Sequence, residues 1–179
     1  MSHTVRHSLV LGGIRSGKSD LAERLAADSG RAVVYVATAR AGDAEMAERI
    51  RRHRERRPAE WGLIEVETDL AGTLRSQADS APCLLIDCMS LWLSGLLESD
   101  RADTEIEAFL EALHAYPGPL VVVSNEVGLG LVAMDPLSRE FCDRLGWLNQ
   151  ALATRCDDVL LSVAGCPLVL RGHLPGDGS

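Results

Sequence analysis

Residues 12–19 read Gly-Gly-Ile-Arg-Ser-Gly-Lys-Ser and match the phosphate-binding pattern G-x-x-x-x-G-K-[ST]. In such a loop the glycines let successive backbone N–H groups point at phosphate oxygens, and a following helix adds partial positive charge. Lys18 would supply a mobile cation for the β- and γ-phosphates, and Ser19 would bind Mg²⁺. The pattern predicts a nucleoside triphosphate site formed by Gly12, Gly13, Ile14, Arg15, Ser16, Gly17, Lys18 and Ser19.

The neighbouring residues favour this interpretation over a glycine turn that merely joins two elements. Residues 8–11 are a short, mainly apolar run typical of a buried strand, and residues 19–26 have the pattern of an amphipathic helix. A strand, a glycine loop and a helix in that order are the structural context that this motif requires.

Asp87 follows the apolar run Cys-Leu-Leu-Ile at residues 83–86. Enzymes with such a loop often carry an acidic residue at the end of a neighbouring strand, where it binds Mg²⁺ directly or through water. The alternative is that Asp87 caps a helix starting near Ser90, since aspartate is a favoured N-cap residue. Ser90 is itself a candidate cap, so we favour the metal role for Asp87, together with Ser19.

Residues 43–57 form a predicted helix with an unusual concentration of arginine at its carboxyl end. Arg49, Arg52, His53 and Arg56 share one face at helical spacing. The surrounding cations favour neutral imidazole, which is a nucleophile, and arginines could stabilise charge on a phosphorus atom under attack. On the residues alone, a solvated charged helix with glutamate–arginine pairs remains the simpler interpretation.

The alternation of apolar runs with helical segments predicts an α/β fold of the P-loop NTPase type. Near-continuous apolar strands indicate a mainly parallel sheet with helices on both faces, and a four-residue connection near the end of the chain indicates an antiparallel hairpin at the C-terminal edge. The predicted strands cover residues 9–11, 32–37, 63–66, 83–86, 120–123, 159–163 and 168–170; the predicted helices cover residues 18–28, 43–57, 91–97, 104–115 and 138–155.

Composition narrows the class of protein. The 179 residues favour a single domain, and we expect residues 1–7 and 172–179 to be loose ends. The net charge of −8 argues against general nucleic-acid binding. No apolar run is long enough for a membrane span, and the first residues lack the apolar core of a signal peptide, so we expect a cytoplasmic protein. The five cysteines form no C-x-x-C pair and are expected to be reduced and mostly structural.

Several motifs together resemble one family, the bifunctional adenosylcobinamide kinase/adenosylcobinamide-phosphate guanylyltransferases of cobalamin biosynthesis. The resemblance runs from about Leu9 to Leu170, and it is most specific around His53 and in the segment Asn-Glu-Val-Gly that begins at Asn125. Two positions depart from the usual pattern, Ile14 in place of a small residue and Ala133 in place of proline. The matching segments are residues 11–19, 35–39, 43–46, 49–53, 57–58, 61, 65, 87–93 and 124–130.

The resemblance implies two reactions at one nucleotide site. A nucleoside triphosphate, ATP or GTP, would phosphorylate the aminopropanol hydroxyl of adenosylcobinamide, and GTP would then transfer GMP to the product, releasing pyrophosphate. His53 matches the family's histidine that carries GMP as a phosphoramidate, and neighbouring subunits of a homotrimer would complete each site. Beyond residues 12–19, the matching nucleotide contacts are Ala37, Thr38, Ala39, Arg54, Glu55, Arg56, Arg57, Glu65 and Asp87.

Three alternative functions each account for part of the sequence. A single-function P-loop kinase for a small metabolite would need Lys18, Ser19 and Asp87 but not His53. A regulatory GTPase would be expected to carry an Asn-Lys-x-Asp motif, and the sequence has none. A degenerate P-loop protein with a structural role is disfavoured because Lys18, Ser19 and Asp87 are intact.

Overall fold

A computed structural model describes residues 5–38, 58–99, 101–130 and 133–174. The helix predicted over residues 43–57 lies outside these ranges. So do six of the predicted site residues: Ala39, His53, Arg54, Glu55, Arg56 and Arg57.

The described residues form a seven-stranded sheet with the order β3-β2-β4-β5-β1-β6-β7. The first six strands run parallel to one another, and β7 pairs antiparallel with β6. The predicted mainly parallel sheet with an antiparallel C-terminal hairpin is therefore confirmed. The strands are β1 (His7–Gly12), β2 (Val33–Ala37), β3 (Gly62–Glu65), β4 (Cys83–Asp87), β5 (Leu120–Asn125), β6 (Asp158–Val163) and β7 (Cys166–Arg171).

Five helices lie in the described ranges and cover both faces of the sheet. None of them is both long and apolar enough to cross a membrane. The longest begins at Pro136, where the Asp135 carboxylate accepts the N–H of Ser138 at 2.8 Å and fixes the helix start. The helices are α1 (Lys18–Ala27), α2 (Leu70–Ser76), α3 (Met89–Leu96), α4 (Ala102–Ala115) and α5 (Pro136–Arg155).

Two apolar clusters occupy the two faces of the sheet because neighbouring residues of a strand point to opposite sides. On one face, Val10 of β1 packs with Leu21 of α1. On the other face, Leu9 of β1 belongs to the cluster that the remaining helices cover. At its centre the rings of Trp92 and Phe109 meet edge to face with centroids 5.2 Å apart. The inner strands of the sheet are thus buried on both sides, as their continuous apolar runs predict, whereas the edge strands β3 and β7 are largely exposed.

Helix α2 was missed by the sequence prediction. It has only seven residues and contains Gly72, so its intrinsic helical propensity is low. Tertiary contacts stabilise it instead: Leu70 and Leu74 are buried in the core, and the Asp69 carboxylate accepts the N–H of Gly72 at 2.6 Å. Helix α3 also starts earlier than predicted, at Met89 rather than at residue 91.

An ion pair ties both ends of the chain to the sheet. Arg6 donates from Nε and Nη2 to the two carboxylate oxygens of Asp158, at 2.7 and 2.5 Å, and the N–H of His173 donates to the same carboxylate at 2.9 Å. The Asp158 side chain is only 4% exposed, against 44% for Arg6. His7 already pairs with Leu120 of β5. Both terminal ranges that were expected to be loose, residues 1–7 and 172–179, therefore contain residues that are hydrogen-bonded to the sheet.

We expect Asp158→Asn to lower the free energy of unfolding at pH 7 by about 1–3 kcal/mol, because a charged hydrogen-bond acceptor is lost. Burial of Asp158 opposes its ionisation, but the bonds from Arg6 and His173 outweigh that effect and lower the pKa of Asp158. A lowered folded pKa gives stability that is present above the ordinary aspartate pKa and lost as pH falls through the folded value. Urea unfolding should therefore show the difference between variant and wild type shrinking from pH 7 towards pH 3.

The exposed Asp79 provides the matched control, since Asp79→Asn removes the same charge from a turn on the surface. That variant should remain close to wild type at pH 7. If Asp158→Asn lowered the free energy of unfolding equally at pH 7 and at pH 3, the stabilising role assigned to the Asp158 charge would be contradicted.

Candidate functional site

The loop between β1 and α1 curls back on itself through backbone conformations with positive φ. Gly17 has φ of 89° and Arg15 has φ of 54°. Gly17 is the N-cap residue of α1, and a glycine has no side chain that could occupy the N–H groups of the first helical turn. The curled loop therefore leads into a helix N-terminus that no side chain caps, which is an arrangement that binds phosphate.

Lys18 lies beneath this loop and is only 6% exposed. Its Nζ donates to the carbonyl oxygen of Gly13 at 3.0 Å, so the ammonium group connects the end of the loop to its beginning. Ile14, at the tip, is 81% exposed and contributes little to the core. The predicted phosphate-binding residues are thus brought together, with the cation inside and the apolar Ile14 outside.

The turn between β6 and β7 supports the loop from outside. The carbonyl oxygen of Ser16 accepts two hydrogen bonds of 2.8 Å, one from Ser162 Oγ and one from the N–H of Gly165. A Cβ atom added to Gly17 would lie 3.0 Å from the Cα of Gly165. Sequence reasoning missed this support, because Ser162 is a single small polar residue within an apolar strand.

The Asp87 carboxylate lies next to the loop at the carboxyl end of β4. Its Oδ2 accepts a hydrogen bond from Ser19 Oγ at 3.1 Å and another from the hydroxyl of Tyr35 at 2.9 Å. The two residues predicted to hold Mg²⁺, Ser19 and Asp87, are therefore in direct contact. A hydroxyl and a carboxylate are both oxygen ligands, and Mg²⁺ is usually held by few protein oxygens together with phosphates and water, so this pair fits that ion.

The alternative role for Asp87, as a helix cap, does not agree with the structure. Cys88, not Asp87, is the N-cap residue of α3, and the described residues give it no side-chain capping bond. Ser90 is not a cap either, since it lies inside the helix with its Oγ 3.0 Å from Cys88 Sγ. The Asp87 side chain instead points to Ser19 and Tyr35.

Three further predicted nucleotide contacts lie along the same edge of the sheet. Ala37 at the end of β2 pairs with both Asp87 of β4 and Glu65 of β3. Thr38 follows, and its Oγ1 both donates to the carbonyl oxygen of Cys88 and accepts the Cys88 N–H, each at 2.8 Å. The parallel register therefore gathers Ala37, Thr38, Glu65 and Asp87 at one edge.

The segment that begins at Asn125 lies on the other side of the phosphate loop. The N–H of Glu126 donates to the carbonyl oxygen of Gly12 at 3.1 Å, and the Glu126 carboxylate accepts the N–H of Gly128 at 2.6 Å. The buried Asn125 Oδ1 and Ser16 Oγ have no hydrogen-bond partner among the described residues. A buried polar atom without a partner costs free energy, and Ser124 Oγ and Asn149 Oδ1 share this property among the described residues.

Cys88 lies close to Asp87 but is not placed to act as a nucleophile. Its thiol is buried, and burial together with the neighbouring Asp87 charge raises its pKa. Burial likewise raises the pKa of Cys83 to about 11 and that of Cys156 to about 12. These three thiols stay protonated at neutral pH and pack as small apolar groups.

Comparisons with known proteins agree with the geometry. The family model described as "Cobinamide kinase / cobinamide phosphate guanyltransferase" matches residues 8–170. The bifunctional adenosylcobalamin biosynthesis protein CobP of Pseudomonas aeruginosa is 56% identical over 92% of this chain and 97% of its own length. The protein CobU of Salmonella typhimurium, described by the same words, is 38% identical over 91% of this chain and 98% of its own length.

Solved structures of low sequence identity share the fold. The RadB recombinase matches with a TM-score of 0.54 and 18% identity over 97% of this chain and 84% of its own. The flagellar accessory protein FlaH of Methanocaldococcus jannaschii matches with a TM-score of 0.56 and 13% identity over 97% and 82%. At these identities the likeness concerns the fold alone, and it supports the P-loop architecture.

We expect Gly17→Ala to weaken the binding of a fluorescent nucleoside triphosphate by roughly tenfold or more. The added Cβ is strained at positive φ, which costs about 1–3 kcal/mol, and it presses on the Gly165 backbone. Gly13→Ala is the matched control in the same loop, since a Cβ at Gly13 meets no described atom within 4 Å. Equal affinities for the two variants would contradict the importance of the loop conformation.

Proposed function

Because the chain belongs to the cobinamide kinase / cobinamide phosphate guanyltransferase family, it is a bifunctional enzyme of adenosylcobalamin biosynthesis, and we propose that both its reactions use one nucleotide site at the carboxyl edge of the sheet. The observation that carries this proposal is the contact between Ser19 and Asp87 beside Lys18. It joins a phosphate-binding loop to a carboxylate, which is the combination that nucleoside triphosphate chemistry requires.

In the proposed complex the triphosphate lies on the N–H groups of residues 12–19. Lys18 leaves the carbonyl oxygen of Gly13 and donates to the β- and γ-phosphates. Ser19 and Asp87 would hold Mg²⁺, which when bound supplies positive charge to the phosphate oxygens. Ala37, Thr38 and Glu65 line the same edge and would contact the nucleotide, together with Ala39 and residues 54–57 of the adjoining segment.

In the kinase reaction the aminopropanol hydroxyl of adenosylcobinamide attacks the γ-phosphorus of ATP or GTP. The bond between that phosphorus and the β–γ bridging oxygen breaks, the nucleoside diphosphate leaves, and the hydroxyl proton is released to solvent. The loop N–H groups and Lys18 hold the phosphoryl group in line with the hydroxyl and stabilise the charge on its oxygens.

In the guanylyl transfer we propose that His53 acts as a covalent carrier. An imidazole nitrogen attacks the α-phosphorus of GTP, and pyrophosphate leaves. A phosphate oxygen of adenosylcobinamide phosphate then attacks the same phosphorus, the P–N bond breaks, and adenosylcobinamide-GDP is formed. Imidazole suits this role because it is both a nucleophile and a good leaving group.

Three features support the assignment of His53. The segment around it matches the family pattern, and the arginines beside it favour a neutral imidazole. The chain also leaves the sheet at Thr38, beside Asp87, to enter the segment that carries His53. The segment that carries the proposed nucleophile, His53, therefore follows directly in sequence from a residue at the nucleotide site.

We further propose a homotrimer that acts in the cytoplasm. The family resemblance supports the trimer, and large apolar side chains that are exposed in one chain are available for contacts between subunits: Leu129, Met134, Leu137 and Trp147. Light scattering during gel filtration measures the oligomeric state, and a monomer at micromolar concentration would contradict the trimer.

We expect His53→Ala to abolish the transfer of GMP while retaining phosphorylation of adenosylcobinamide. The measurement is intact-protein mass spectrometry after incubation with Mg²⁺ and GTP, which should show an acid-labile adduct of one GMP on wild type only. A wild type without adduct that still phosphorylates the corrinoid would favour a single-function kinase. Normal GMP transfer by the variant would exclude His53 as the carrier.

We expect Lys18→Ala to slow both reactions by roughly a hundredfold or more, since one cation that stabilises transferring phosphoryl oxygens is removed. Product formation from ATP with adenosylcobinamide, and from GTP with adenosylcobinamide phosphate, measures the two reactions separately. The His53→Ala variant is the control, because it should lose only the second. A Lys18→Ala variant impaired in one reaction alone would contradict the shared site.

A further inference from the structure

Tyr35 lies in the middle of β2, and the residue is only 5% exposed. The ring packs in the apolar cluster on the α1 face of the sheet, with neighbours that include Cys83 and Leu85 of β4. From this buried position its hydroxyl donates to Asp87 Oδ2 at 2.9 Å. Neither the motif nor the resemblance gives Tyr35 a role in the reaction.

We propose that Tyr35 is a positioning residue that holds the Asp87 carboxylate in the orientation needed to bind the divalent cation. This inference rests on the proposed magnesium role of Asp87 and deepens it. Partners that hydrogen-bond to a metal ligand fix the direction of its lone pairs, and their loss typically weakens metal binding by about 10–100-fold.

Asp87 accepts hydrogen bonds from two different parts of the fold. Ser19 Oγ donates to the same oxygen, Asp87 Oδ2, at 3.1 Å. If Ser19 bound the cation through an oxygen lone pair, its O–H could still donate to Asp87, but that bond would follow any movement of the phosphate loop on which Ser19 lies. Tyr35 belongs to the sheet and not to the phosphate loop, so its bond to Asp87 can persist in both states. The carboxylate then keeps its orientation through nucleotide binding.

The buried setting makes the tyrosine suited to this task. A tyrosine side chain has two rotatable bonds, and here the surrounding core restricts both. The phenol donates one hydrogen bond and leaves Asp87 Oδ1, and a second lone pair of Oδ2, available to a cation. Tyr35 thus orients the Asp87 carboxylate while leaving lone pairs on both of its oxygens that can bind a cation.

The test compares Tyr35→Phe with wild type in the binding of a fluorescent GTP analogue across a range of Mg²⁺ concentrations. We expect the Mg²⁺ concentration for half-maximal binding to rise by roughly tenfold, while the affinity measured in EDTA stays unchanged. Unchanged Mg²⁺ dependence would overturn the inference. So would an equal loss of affinity with and without Mg²⁺, because that result would mean a general packing defect.

Tyr116→Phe is the matched control. The Tyr116 hydroxyl also donates a buried hydrogen bond, at 2.7 Å to the carbonyl oxygen of Pro82, at the opposite end of β4. Both variants remove one phenolic oxygen and the hydrogen bond that it donates, so both should shift urea unfolding to a similar, small extent. If Tyr116→Phe raised the Mg²⁺ requirement as much as Tyr35→Phe, the effect would reflect lost stability and the inference would fail.

Asp87→Asn separates this inference from the proposal on which it rests. A large increase in the Mg²⁺ requirement of Asp87→Asn, with none in Tyr35→Phe, would overturn the role of Tyr35 and leave the metal role of Asp87 intact. If Asp87→Asn had the same Mg²⁺ dependence as wild type, the proposed metal role would fail, and the role of Tyr35 with it.

Discussion

The hydrogen bonds that converge on Asp87 Oδ2 join three parts of the chain that are far apart in sequence: the start of α1, the middle of β2 and the end of β4. They exist only because β2 and β4 pair in a register that places Ala37 opposite Asp87. A slip of one residue would turn the Asp87 side chain to the opposite face of the sheet, away from α1. The extensive apolar core on both faces specifies this register, so the packing of the sheet determines the geometry of the candidate nucleotide site.

The antiparallel hairpin contributes to the same site for a topological reason. Parallel strands are joined by long crossovers, whereas an antiparallel pair can be joined by a tight turn. Here Ala164 and Gly165 both have positive φ, as such turns require, and the turn lies against the phosphate loop. The N–H of Gly165 and the hydroxyl of Ser162 then hold the carbonyl oxygen of Ser16. The tight turn that reverses the last strand therefore adds the Gly165 bond to the one that Ser162 of β6 provides.

The sequence predicts those features of the fold and site that depend on neighbouring residues in the chain. Continuous apolar runs predict the strands of a doubly covered sheet, and the motif at residues 12–19 with Asp87 predicts the contact found between Ser19 and Asp87. The residues that it misses depend on partners remote in sequence, since Tyr35 lies 52 residues from Asp87 and Ser162 lies 146 residues from Ser16. Within an apolar strand such a hydroxyl gives no periodic signal. Helix α2 was missed for a related reason, because burial and a cap stabilise it more than propensity does.

One loop can serve two reactions because both need the same electrostatic environment and differ in the phosphorus atom that is attacked. The chain carries a net charge of −8, so its overall field repels a triphosphate, and binding must come from groups at short range. The loop N–H groups, the helix N-terminus and Lys18 provide them within a few ångström, where screening is weak. In the proposed scheme that set stabilises the charge whether the γ- or the α-phosphorus reacts. In that scheme, the nucleophile that reaches the phosphates decides which reaction occurs. The nucleophile is either the substrate hydroxyl or His53, and neither belongs to the residues at the edge of the sheet.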